Sequence, residues 1–284
     1  MPISCSRKVC GRGYTRHAEI SLFSEAKFAE GLSWALKAHV EDPSDIPSNF
    51  YAMWGFVLVG EYNEARRIND SLTFWADVVE GRFDEAIQAT QRKMLLDPEN
   101  EAVIARAADG LYVAGRIDEA LPLYERLRDF RPEGRPIGTP PFQNEATMQL
   151  ALARRKGGDE VGAQAAAQIA KHDHAALSAA GVKGQFPYRT EAMIAAFEQD
   201  PEGVIVALNS AMQLGLRNPQ FFDDLIFENM WDEPRFVALQ QELDAILAAE
   251  HDKVLQLICF NNPVAGDWQP LPETCEGVEE QLVL

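Results

Sequence analysis

Gly81-Arg82-Phe83-Asp84-Glu85-Ala86 returns as Gly115-Arg116-Ile117-Asp118-Glu119-Ala120, 34 residues later. Pro98 returns as Pro132 at the same shift, and in both copies the alanine precedes the proline by 12 residues. Ala207 and Pro219 keep that interval a third time, and Asp42-Pro43 closes an earlier helix-like segment over 28–40. A fixed period of this length marks supersecondary units that bury their apolar faces only by stacking on one another. Within one unit, Gly81 and Gly115 read as the turn, because a residue without Cβ enters the left-handed region at no steric cost. Asp84 and Asp118 read as helix starts, their carboxylates capping free N–H groups. Ala86 and Ala120 are small where two helices cross. Leu95 and Leu127 read onto the apolar face of the second helix, which Pro98 and Pro132 then stop.

This pattern resembles the tetratricopeptide repeat, a helix-turn-helix unit of 34 residues with small residues at the crossing and a closing proline. The resemblance implies an all-α fold, an α-α superhelix (TPR-like solenoid), with units at roughly 12–45, 46–66, 67–100, 101–134, 144–177 and 188–221. The large residues of each first helix are mostly absent, and Ile104, Ala107, Ala108 and Leu111 are the best surviving version. Gly60 and Gly81 are only 21 apart, so the second unit is about 13 residues short and its helices are expected to fuse or truncate. An insertion over 135–143 holds Pro136, Pro140 and Pro141 and reads as an extended loop. Gly31 stands where the first unit should have alanine.

Downstream, Phe236, Leu239, Leu243, Ile246, Leu247, Val254 and Ile258 keep helical spacing, so 234–258 reads as one long amphipathic cap for the array. Its lead-in, 221–235, looks like the end segment of tetratricopeptide regions fused to bacterial winged-helix regulators and nucleotide cyclases. The expected organisation is a basic flexible N-terminus at 1–17, a repeat domain with its cap at 18–258, and a Pro-rich acidic tail at 259–284. Trp268 and Phe260 are large apolar groups in that tail, and leaving either in water forgoes about 1.5–3 kcal/mol. Residues 259–271 are therefore expected to fold back onto the array.

Charge narrows the partners. The chain carries 44 Asp and Glu against 26 Lys and Arg, a net −18. Residues 1–17 hold Arg7, Lys8, Arg12 and Arg16 and no acid, so the body is more negative still. Such a surface repels phosphate backbones, which argues against nucleic acid as a partner. No apolar run reaches the 18 or so residues of a membrane span, and no secretory leader is visible, so a cytoplasmic setting is expected. Cys5, Cys10, Cys259 and Cys275 are too few for a disulfide framework and fit a reducing compartment.

Chemistry-bearing motifs are scarce. There is no Gly-rich phosphate loop, nucleophile elbow or HExxH, so no catalytic residue and no cofactor is assigned, and the expectation is a non-enzyme. Cys5, Cys10 and His17 lack a fourth zinc ligand, and His172-Asp173-His174 reads as a surface turn, so no metal site is assigned either. Asp223-Asp224 reads as a helix cap.

In the tetratricopeptide family the first helix of each unit lines a concave groove. Carried onto this sequence, the resemblance implies a partner-binding face of Phe50, Trp54, Trp75, Arg106, Asp109 and Tyr112, with Trp75 and Tyr112 as the anchor pocket. The implied ligand is a protein, as a peptide or helix with apolar anchors and basic character. The family's carboxylate clamp does not match, since Asn69, Asp70 and Ser71 stand where it would begin. The function read from the sequence is a protein-interaction scaffold or adaptor. Its alternative is the regulatory or sensor region of a bacterial transcriptional regulator or nucleotide cyclase.

Overall fold

The computed structural model describes residues 7–69, 73–137 and 142–280. Cys5, Asp70 and Ser71, with the zinc and clamp readings that depend on them, lie outside the described residues. Among those described there is no strand, and helices follow one another in pairs. The pairs are α1 (Arg7–Glu19) and α2 (Phe28–Glu41), α3 (Ile46–Leu58) and α4 (Tyr62–Ile68), and α5 (Thr73–Val79) and α6 (Phe83–Leu96). They continue as α7 (Glu101–Val113) and α8 (Ile117–Asp129), α9 (Gln143–Lys156) and α10 (Glu160–Ala179), and α11 (Gln185–Phe197) and α12 (Pro201–Gln213). Two 3-10 turns, Pro219–Phe221 and Leu225–Met230, lead to α13 (Pro234–Phe260). The deficit around Gly60 is taken up by truncation, with α4 and α5 seven residues each.

The chain divides into two compact units rather than the single repeat body expected over 18–258. One comprises Met1–Ala76, Gly215–Asn218 and Glu242–Leu284, the other Asp77–Leu214 and Pro219–Gln241.

In the first unit Phe28, Leu32, Leu36, Met53 and Phe56 are fully buried, joined by Val254 and Ile258 of α13. The Phe28 N–H, an orphan donor at the start of α2, donates to the Glu250 carboxylate at 3.0 Å. Gly31 replaces the expected alanine because the Leu22 side chain occupies its space: a Cβ there would lie 2.6 Å from Leu22 Cγ. The basic N-terminus is helical from Arg7, against the flexible segment expected, and the Tyr14 ring stacks on Trp34 at 5.6 Å.

In the second unit the repeat register holds. Ala86, Ala120 and Ala207 are buried at helix crossings, and Ile104, Ala107, Ala108 and Leu111 form the buried stripe of α7. Gly81 and Gly115 take φ of 79° and 75°, which a side chain would resist. Two details differ from the sequence reading. The helix caps are Arg82 and Arg116, so Asp84 and Asp118 lie inside the first turn, where they suit the helix dipole, and Asp84 also lies 3.4 Å from Arg116 Nη1. Leu127 is buried but Leu95 is 84% exposed. Leu127 is seven residues beyond its crossing alanine, on the same face; Leu95 is nine beyond, about half a turn away. His172 and His174 lie within α10 rather than in a turn. Asp224 caps the Leu225–Met230 turn, as read, by accepting from the Ile226 N–H at 2.9 Å.

Candidate functional site

Each unit presents one constellation beyond ordinary packing. In the first, aromatic rings run from the π-helical turn Ile20–Ser24 through α3 to the start of α5. Phe23 stacks on Phe50 at 6.4 Å and meets Tyr51 edge-on at 5.8 Å. Phe50 meets Trp54 edge-on at 6.1 Å, and Trp54 lies 5.8 Å from Trp75. Phe50 and Trp54 are four apart on α3 and therefore share a face. Phe23, Phe50, Tyr51 and Trp75 are half-buried, whereas Trp54 is nearly enclosed. The π turn places one extra residue in the helical path, which is how Phe23 reaches the rings of α3. Burial and the Glu19 charge raise the Tyr51 hydroxyl pKa, so it stays a neutral donor.

The second unit holds a polar network. The Tyr112 hydroxyl donates to Asp224 Oδ1 at 2.6 Å, and Gln149 Nε2 donates to Asp224 Oδ2 at 3.0 Å. Tyr124 Oη lies 3.1 Å from both Asp109 Oδ1 and Gln149 Oε1. Alongside, Arg189 Nη2 donates to Glu145 Oε2 at 2.5 Å, with the Arg189 guanidinium 4.4 Å from the centre of the Phe221 ring. Burial, helped by the neighbouring Asp224 charge and opposed by the Tyr124 hydroxyl and Arg106, raises the Asp109 carboxyl to about 7. Burial likewise raises Glu145 to about 7 against the pull of Arg189, and raises Asp224 against its three hydrogen bonds. The network can hold protons near neutrality, and it ties α7, α8, α9 and α11 to the turn behind them.

The sequence-assigned residues are divided between the two units. Phe50, Trp54 and Trp75 come together in the first unit. Arg106, Asp109 and Tyr112 lie on α7 in the second. Tyr112 is fully buried, with its hydroxyl on Asp224, and offers no surface to a ligand. Tyr112 therefore supplies no anchor surface, whereas Trp75 is half-exposed. Sequence reasoning missed Phe23, Tyr51, Glu145, Gln149 and Arg189. One signal was available: Glu145 precedes buried Met148 and Leu152 by three and seven residues, and Arg189 precedes buried Ala192 and Met193 by three and four. A charge on an apolar stripe needs a partner.

Residues 63–133 match the bacterial transcriptional activator domain family. The match supports the resemblance to repeats fused to bacterial regulators, and it covers the two strongest repeats. Among solved structures, a chain from the crystal structure of the APC/C hetero-tetramer Cut9–Hcn1 is similar, with TM-score 0.50 and 13% identity. The likeness covers 90% of this chain and 49% of that one, so this chain spans about half its length. No curated protein matches. No helix among the described residues is long and apolar enough to cross a membrane.

Proposed function

We propose that this tetratricopeptide-like repeat protein is a non-catalytic, cytoplasmic protein-interaction module. The aromatic face of its first unit takes an apolar anchor of a partner peptide or helix. The observation that carries the reading is the half-buried ring cluster of Phe23, Phe50, Tyr51 and Trp75 around Trp54. Rings that share a face, keep part of their area in water and lose little entropy on contact are what binding hot spots are made of. The net charge of −18 favours a partner with basic residues flanking the anchor, chiefly by speeding encounter, and disfavours nucleic acid. In the second unit, taken by itself, the partly accessible Arg106 and Asp109 are assigned to polar contacts with a protein partner, while Tyr112 is core and holds Asp224.

A second reading is favoured by the family match at 63–133: the chain is the regulatory region of a bacterial transcriptional regulator. The two are compatible, since a regulator's repeat region also works by binding.

The test is selection from a displayed peptide library on the full chain, followed by titration of the selected peptides. Selected peptides should carry an aliphatic or aromatic anchor beside Lys or Arg. Trp75→Ala should weaken their binding by at least about 2 kcal/mol, with the protein still folded. Tyr112→Phe should leave binding unchanged and lower stability by about 1–3 kcal/mol, because Asp224 loses its donor. Peptides that bind Trp75→Ala as tightly as the wild type remove the reading.

A further inference from the structure

The tail of the chain does more than fold back. Within the first unit, Trp268 is buried against Phe56 of α3, with ring centres 5.7 Å apart, and the Arg67 guanidinium of α4 lies 5.7 Å from the same indole. Arg67 Nη2 donates to the Gln269 carbonyl at 3.1 Å. The Leu271 N–H and the Thr274 hydroxyl both donate to Glu64 Oε1, at 2.5 and 2.9 Å. Glu64 is thereby fully buried, and its other oxygen accepts from Arg67 Nη1 at 2.8 Å. At the far side, Cys275 is joined to Cys259 in the last turns of α13, a crosslink spanning 16 residues. The sequence reading had no disulfide here. The pair is invisible in one dimension because only the fold-back brings the two sulfurs together.

The surface beneath this segment is of a particular kind. On α4 it contacts a carboxylate and a guanidinium that already face each other. Both hydrate readily, so α4 tolerates water once uncovered, unlike an apolar core face. A segment held by a few polar bonds and one indole is marginal alone. A crosslink that closes a short loop supplies the missing local concentration. Where thiols are kept reduced, such a bond persists only as a regulated one.

We propose that residues 262–280 form a thiol-controlled strap over α3 and α4, released when the Cys259–Cys275 bond is reduced. A dithiol reductant supplies two electrons and two protons. Its own sulfurs become a disulfide as the Cys259–Cys275 bond breaks, leaving two thiols on the protein. Release uncovers Phe56, Glu64 and Arg67, an aromatic-plus-carboxylate face separate from the ring cluster around Trp54. The inference does not depend on that cluster binding anything.

The full chain is compared before and after treatment with dithiothreitol, thiol state being read by alkylation and mass spectrometry. A glutamyl endopeptidase should cut after Glu273 and Glu276 at least about tenfold faster in the reduced protein. Amide exchange over Tyr62–Ile68 should accelerate with it, while α7–α12 stay protected. Cys275→Ser should behave as the reduced protein even under air. Trp268→Ala, with the crosslink intact, should loosen the segment without any change in thiol count. Equal cleavage in the two states overturns the proposal. So does loss of protection across α7–α12 on reduction, since the bond is then a structural staple. Free thiols located at Cys259 and Cys275 in the air-oxidised protein overturn it as well.

Discussion

Gly31 is the position where one methyl group has the clearest consequence. The repeat pattern calls for alanine, but Leu22, folded inward by the π turn, already fills that volume. Adding a Cβ 2.6 Å from Leu22 Cγ forces a buried side chain to move within a packed core. Gly31→Ala should destabilise the first unit by about 1–3 kcal/mol despite its better helix propensity, measured by urea unfolding. A neutral or stabilising result would mean that Leu22 has room to yield.

At the level of the elements, what matters is how closely two helices approach. Ala120 lies at the crossing of α7 and α8 and is fully buried. Ala120→Leu places three extra carbons there and should cost about 1–3 kcal/mol, read as a lower denaturant midpoint at unchanged slope. The control lies on α6: Leu95→Gln sits on the solvent face and should change stability by less than about 0.5 kcal/mol. If Leu95→Gln proves costly, that face is covered in solution. α10 shows the same logic, since Ala163, Ala166, Ala167 and Ala170 are all buried along one stripe. α9 and α10 can therefore lie close with little side-chain volume between them.

At the scale of the molecule, two acids of the second unit, the buried Glu145 and the partly buried Asp109, set a pH dependence. Asp109 and Glu145 have ordinary values of 3.8 and 4.5 and rise to about 7 in the fold. Between about pH 4 and 7 the unfolded chain has released these protons while the folded chain retains them. These two groups therefore make stability fall as pH rises through that window and level off above it. Arg106 and Arg189 oppose the shifts, and Asp224 adds to them. Asp109→Asn removes one titrating group, so the drop in stability from pH 5 to pH 8 should be smaller than in the wild type. The difference should be on the order of 1–2 kcal/mol. Parallel pH profiles for the two proteins would show that Asp109 ionises normally in the fold. The first unit depends on chemistry of another kind, with its tail clamped by a sulfur–sulfur bond and by Glu64.

From its residues alone, the sequence determined the helix-pair architecture, the register of the two strongest repeats and the shortfall after Gly60, which the fold resolves by truncation. Each follows from local physics: positive φ at Gly81 and Gly115, small residues at crossings, and apolar spacing at the helical period. The resemblance to the repeat family named three of the five clustered rings, Phe50, Trp54 and Trp75, and missed Phe23 and Tyr51. Only the tertiary structure decided that Tyr112 is core, that Glu145 meets Arg189, that the chain forms two units, and that Cys259 reaches Cys275. Each of these depends on groups from 16 to more than a hundred residues apart, and no local periodicity encodes which distant side chain will satisfy a buried charge or accept a buried ring.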